Sequence, residues 1–188
     1  MKNGFVIAAP MILSILLAAG CGKKEEPAKG AGSAPAVTAV QTPKIVIEAA
    51  SALKIEPPFQ IGSDPQASGG KYVGAPKAAD AAGKNKACNA VCEFTAPKAG
   101  TYYLWIRKKW AGGCENSLFV KVDDQNEFIF GEDGTYDRWD WLTAMARSFE
   151  LKEGKHALVI KNREDESKFD QILFIADKDY VPQGIEEK

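Results

Sequence analysis

The chain has 188 residues, 24 Lys and Arg against 25 Asp and Glu, a net charge of −1 and a pI near 5.9. No basic patch stands out, and this argues against nucleic-acid binding, which needs clustered cations to meet phosphates. One histidine and four cysteines, with no histidine following the Cys88–Cys92 pair, argue against a zinc site and a haem attachment site.

Residues 1–20 read as a signal peptide. Lys2 supplies the positive start, the run from Phe5 to Leu17 is apolar, and small residues follow up to Cys21. The run is too short and wrongly flanked for a stable spanning helix. The ending "LLAAGC" resembles a bacterial lipoprotein signal, in which the chain is cut before the cysteine and the thiol is lipidated. Ala18 stands where that pattern most often has leucine. The alternative is an ordinary secretory signal with Cys21 incidental. Residues 21–43 hold Lys, Glu, Ala, Gly and Pro and no aromatic residue, so they cannot bury a core and read as a disordered tether. A lipid on Cys21 would anchor the chain to the cell envelope. Gly22, in place of the aspartate that commonly retains lipoproteins at an inner membrane, points to the outer membrane.

Residues 44–183 read as one domain of strands and turns, with 184–188 as a tail. "KIVIEAA" opens a strand, while "DPQASGGKYV" and "APKAADAAGKNKA" are loop-like. "CNAVCEF" alternates, with Cys88, Ala90, Cys92 and Phe94 on one face. "APKAG" reads as a turn, and the aromatic, β-branched "TYYLWIRKKW" as the antiparallel partner strand, with Trp105 in the core and the cations as a solvated end. "NSLFVKVDDQNEFIF" is a hairpin turning at Asp124 to Asn126. "RSFELKEGKHALVIKNRE" is two strands joined at "KEGK", and "KFDQILFIADKDYVP" closes the set. Turn signals about every ten residues predict an all-β sandwich or jelly roll.

Three cysteines remain after Cys21. Counting outward from the turn, Cys92 falls opposite about Leu104 and Cys88 opposite about Lys108, so that Cys114 can fold back beside Cys88. Cys88 and Cys92 are about 13 Å apart on a straight strand, too far to bridge. The expectation is a Cys88–Cys114 disulfide, with Cys92 a buried free thiol beside Phe94; the alternative is three reduced or mixed thiols.

"IVIEAASA", "AGTYYLWIRKKW", "RWDWL", "LKEGKHALVIKNRED" and "KFDQILFIADKDYVPQG", in this order, resemble family 6 and family 35 carbohydrate-binding modules. The resemblance covers nearly the whole domain. It implies a jelly-roll β-sandwich of two antiparallel sheets with the galactose-binding-like fold. It further implies one structural calcium ion, held by Glu48 and Asp170. A second glutamate of that pattern is replaced by Ala50. The alternative is that the two acids pair with cations such as Arg163.

The resembled modules bind sugar on loops at one end of the sandwich. Indole and phenol rings stack on the C–H face of a sugar while polar neighbours take its hydroxyls. Here the loop rings are Trp110, Tyr136 and Trp139, with Asp137, Arg138, Asn162 and Arg163 as polar candidates. Trp139 and Trp141 are two apart and share a face on extended chain. Trp141 is expected inward, leaving Tyr136 and Trp110 as the exposed rings. The alternative is that the rings cap the open end of the sandwich. Asp123, Asp124, Glu132, Asp133, Glu164 and Asp165 fall in turns, where acids are common for reasons of solvation. His156 has no nucleophile motif beside it and reads as a surface residue. No catalytic residue is therefore assigned. The expected function is non-catalytic binding of a polysaccharide or glycan by a membrane-anchored lipoprotein. The competing reading is a structural or protein-interaction module of a cell-envelope complex.

Overall fold

The computed structural model describes residues 41–77, 89–144 and 146–188. The expected signal, the expected lipidation residue Cys21, most of the expected linker and Cys88 lie outside them. The described strands are β1 (Lys44–Glu48), β2 (Lys54–Ile55), β3 (Gln60–Ser63), β4 (Lys71–Gly74), β5 (Asn89–Ala96), β6 (Gly100–Lys109), β7 (Ser117–Val122), β8 (Phe128–Gly131), β9 (Asp140–Thr143), β10 (Phe149–Leu151), β11 (Gly154–Asn162) and β12 (Lys168–Ile175). They form a seven-stranded sheet in the order β10-β6-β12-β4-β3, with β1 also on β12 and β9 also on β6, and a five-stranded sheet in the order β2-β5-β11-β7-β8. Every pairing is antiparallel. The result is the expected jelly-roll sandwich.

Alternation decides which faces meet. Tyr102, Leu104 and Ile106 of β6 and Ile172 and Phe174 of β12 point into the sandwich from one sheet. Ala90, Cys92 and Phe94 of β5, Leu158 and Ile160 of β11, and Leu118, Val120 and Val122 of β7 meet them from the other. Phe94 stacks on Phe174 with centroids 4.5 Å apart, and Phe149 meets the same ring edge-on at 5.9 Å. Cys92 is free and buried on the same face as Phe94, as expected; burial pushes its thiol up to about 12. The β7–β8 hairpin forms with Val120 opposite Phe128. At the far end of β8, Gly131 has φ of 133°, and a Cβ there would lie 2.1 Å from the Asn116 carbonyl oxygen. Only glycine fits where this loop leaves the sheet.

One connection differs from the sequence expectation. β5 and β6 do not pair: β5 lies between β2 and β11, whereas β6 pairs with β12, β9 and β10. Residues 97–99 cross from one sheet to the other, because both strands have an apolar face to bury and the two faces oppose each other across the core. Tyr102 closes this corner by donating its hydroxyl to the Lys98 carbonyl, 2.9 Å away. The register that placed Cys114 beside Cys88 is therefore absent. Cys114 is exposed and its thiol is free. The "KEGK" junction also crosses, from β10 on β6 to β11 on β5.

That second crossing is fastened by His156, which packs on Phe94 with centroids 5.4 Å apart rather than lying on the surface. Its Nδ1 faces Asp123 Oδ2 and its Nε2 faces the Lys152 carbonyl, each at 2.7 Å. Both partners are acceptors, so satisfying both requires a proton on each nitrogen. Burial pulls the imidazole pKa down, but the Asp123 and Lys152 hydrogen bonds and the Asp123 charge outweigh it and raise it above 6.5. The contribution to stability is thus complete below pH 6.5 and is lost as pH rises through the raised value. His156→Gln is expected to cost about 1 kcal/mol at pH 6 and less at pH 9 in urea titrations. An equal loss at both pH values would contradict a charged imidazole.

Candidate functional site

The site begins at a fault in a ladder. The β12–β6 register shifts between Phe169 and Gln171, so Asp170 is an extra residue with no partner opposite. A bulge of this kind re-aims a side chain. Asp170 is 1% exposed, and its Oδ2 accepts the Ser68 backbone N–H at 2.7 Å and an ion pair from Arg107 Nη1. Arg107 Nη2 also donates to the Gln66 carbonyl at 3.2 Å. Burial pushes the Asp170 carboxyl up to about 6, against the pull of the Ser68 N–H and the Arg107 charge.

Arg107 carries the arrangement outward. Its guanidinium carbon lies 5.3 Å from the centre of the Trp139 ring. Trp139 is further held by its indole N–H on Asp64 Oδ2 at 3.1 Å and by Tyr72, 6.0 Å away between ring centres. Asp64 also accepts the Gln66 N–H at 2.9 Å and Lys109 Nζ at 3.0 Å. The Gln66 hydrogen bond is the main reason its carboxyl lies below the usual range. β9 lays Trp141 opposite Arg107 in the sheet, and the Trp141 indole N–H donates to the Gly184 carbonyl at 2.9 Å. Trp105 shares this outer face, since its neighbours Leu104 and Ile106 point inward. Trp105, Trp139 and Trp141, with Arg107, Asp140 and residues 181–184, line a cleft of about 150 Å³. Trp139 and Trp141 thus share a face as expected, but it is the outer face of the seven-stranded sheet, and neither Trp141 nor Trp105 enters the core.

The remaining candidates do not converge on this cleft. Trp110 is fully buried. Its indole N–H donates to Asp133 Oδ1 at 2.9 Å, and Lys108 Nζ lies 5.6 Å from its ring centre. Lys108 is itself 0% exposed and pairs with Asp133 Oδ2 at 2.7 Å and with the Thr135 hydroxyl. Burial raises the Asp133 pKa, but hydrogen bonds from Lys108, Thr135 and Trp110 bring it below its ordinary value. The cationic run is therefore half inside, and Trp110 follows Lys108 inward because the "GEDGT" loop supplies both partners. Trp110 offers no ring face to a ligand. Tyr136 is 40% exposed, as expected, beside Gly113, and Asp137 is exposed and anchored by its N–H on the Trp110 carbonyl at 2.9 Å. Arg163 is engaged by Glu164 at 2.9 Å, Glu132 at 3.2 Å and the Ser117 hydroxyl. Asn162 keeps a buried Oδ1 with no hydrogen-bond partner among the described residues.

Glu48 and Asp170, the two residues of the expected calcium pattern, lie near enough for the Glu48 charge to act on Asp170. Glu48 lies opposite Gln171 and accepts its side-chain N–H at 2.7 Å. Asp170 Oδ1 is buried without a partner among the described residues, and the Glu48 charge is one cause of its raised pKa. An orphaned carboxylate oxygen beside a second carboxylate suits a hard cation in kind. The set is small, since Ala50 offers no side-chain ligand and no group of three acidic, His or Cys residues forms among the described residues. The cation paired with Asp170 is Arg107, not Arg163.

Neither a protein-family model nor a curated protein matches the chain. Solved structures do. A family 35 carbohydrate-binding module from Clostridium thermocellum is 21% identical, with a TM-score of 0.52 over 70% of this chain and 98% of that one. The C-terminal family 6 module of a marine laminarinase from Zobellia galactanivorans is 15% identical, with a TM-score of 0.51 over 70% of this chain and 98% of that one. An exo-β-1,3-galactanase from Phanerochaete chrysosporium is 13% identical, with a TM-score of 0.54 over 70% of this chain; the match spans 29% of that longer enzyme. The fold is thus the jelly roll of these carbohydrate-binding modules.

Removing the guanidinium strands a buried carboxylate. Arg107→Ala is expected to destabilise the domain by about 3–5 kcal/mol at pH 7.5 in chemical denaturation. The loss should shrink at pH 5, where Asp170 can take a proton. Equal losses at the two pH values would show that the ion pair is not the cause.

Proposed function

We propose that this chain is a non-catalytic carbohydrate-binding lipoprotein of the cell envelope that holds a sugar ring in the cleft of Trp105, Trp139 and Trp141. The observation that carries the reading is this cleft, where three rings meet and two of the indole N–H groups are already fixed by Asp64 and Gly184. Ring faces held this way lose little freedom when a sugar stacks on them, so more of the contact energy appears as affinity. Asp140 and the backbone at 181–184 lie at the rim to meet hydroxyls. A cleft with rings and polar neighbours suits a sugar, whereas a flat apolar patch would suit a protein partner.

Several of the acids that might be imagined as a catalytic pair already have partners. Asp123 holds His156, Asp133 holds Lys108, and Glu132 and Glu164 hold Arg163. The galactanase neighbour was solved with β-1,3-galactotriose, and another neighbour is a β-1,4-mannanase, so galactan and mannan oligosaccharides are the first ligands to try. In this reading Glu48 and Asp170 hold a structural calcium ion, with carbonyls and water completing its shell, and Cys21 carries the lipid that tethers the domain, on the outer membrane.

A glycan array probed with residues 44–188 tests the function. Binding should appear, and Trp139→Ala and Trp141→Ala should each weaken it by about tenfold, or ~1.4 kcal/mol. Binding untouched by both changes would remove the cleft from the account. EGTA should lower the melting temperature, and an unmoved curve sinks the calcium. A palmitate analogue should label the full chain but not Cys21→Ser, and label on that variant would refute the anchor.

A further inference from the structure

One wall of the cleft is not part of either sheet. Residues 181–184 form it, and a set of bonds just beyond the cleft holds them down. Gln171, fully buried, exchanges two hydrogen bonds with the backbone of Glu186: its Oε1 accepts the Glu186 N–H at 2.9 Å and its Nε2 donates to the Glu186 carbonyl at 2.9 Å. The Glu186 carboxylate accepts the Tyr180 hydroxyl at 2.8 Å, Lys44 Nζ at 3.1 Å and the Gln183 N–H at 3.3 Å. Burial raises its pKa, but these three partners outweigh it and bring it below the usual range. Between the two anchors, Gly184 takes φ of 58°, the left-handed turn that favours glycine, and its carbonyl receives the Trp141 indole N–H. A segment that reads from the sequence as a tail therefore has Glu186 only 9% exposed.

We propose that residues 180–186 are a latch that completes the sugar cleft and restricts it to a single terminal or branch sugar unit. This rests on the carbohydrate reading above. With the latch closed, the cleft holds about 150 Å³, below the range of pockets that enclose drug-sized ligands, and Val181 to Gly184 stand on one side of it. On this proposal a chain end enters such a space, and the 181–184 wall stands in the way of an internal stretch of polysaccharide. Gln171 and Glu186 are positioning residues: they lie outside the cleft lining and act through the backbone of 181–184.

The test uses the full chain. Gln171→Ala and Glu186→Ala should each open the latch, seen as at least tenfold faster hydrogen exchange at the amides of Gln183 and Glu186. Trp141→Phe keeps a ring but removes the bond to Gly184, and serves if the others fail to fold. Methyl β-galactoside and methyl β-mannoside should compete for the wild-type chain against β-1,3-galactan and β-1,4-mannan. Opened variants should lose at least tenfold in affinity for the methyl glycosides, and their preference should move toward the polymers. Glu186→Gln, which keeps polar contacts to Tyr180 and Gln183, should recover part of the loss. An opened latch with unchanged preference overturns the inference and leaves the carbohydrate reading standing. A wild-type chain that binds no sugar on the array overturns both.

Discussion

The buried pair of Arg107 and Asp170 is the interaction on which the outer face depends. Its carboxylate exists at that point only because β12 carries one extra residue there. Its guanidinium ties β6, β12 and the 66–68 turn together and lies close to a tryptophan ring. A buried ion pair is weak as a source of net stability, because desolvating two charges offsets most of their attraction. Position is what it supplies. The Ser68 N–H holds Asp170, the Asp170 carboxylate and the Gln66 carbonyl hold Arg107, and Trp139 is set against the guanidinium.

The same bulge serves the other side of the cleft. Asp170 turns toward Arg107, and the next residue, Gln171, faces the segment from Tyr180 to Glu186. One irregularity in one strand thus orients the side chains that hold both walls. The inner face of the same sheet is ordinary by comparison: Tyr102, Leu104, Ile106, Ile172 and Phe174 fill the sandwich. The packed core of the domain therefore lies on one face of the seven-stranded sheet and the tryptophan cleft on the other.

The strands are legible from alternation and turn residues, because burying one face imposes a period of two. "CNAVCEF" and "NSLFVKVDDQNEFIF" show this directly, since the burial of Ala90, Cys92 and Phe94 and the Val120–Phe128 pairing follow from it. Pairing is less legible. A three-residue turn that crosses the sandwich has the same composition as one that closes a hairpin, and only the Tyr102 hydroxyl on the Lys98 carbonyl marks the difference. The site is less legible still. In "IRKKW", Arg107 and Lys108 point to opposite sides, so charge does not identify the solvent face of β6. Trp105 and Trp110 are then assigned the wrong way round, although the run Tyr102, Leu104, Ile106 carries the parity that would separate them. The role of Gln171 and Glu186 depends on contacts 15 residues apart between a strand and an irregular segment, for which no local pattern exists.

The central claim is that three of the four tryptophans bind sugar and the fourth does not. Indole N–H resonances, assigned by single Trp→Phe changes, report on each ring separately. Titration with the tightest sugar from the array should shift the resonances of Trp105, Trp139 and Trp141 along saturable curves with one Kd, and leave Trp110 in place. A shift confined to Trp110, or saturable binding with the other three unmoved, would contradict the account.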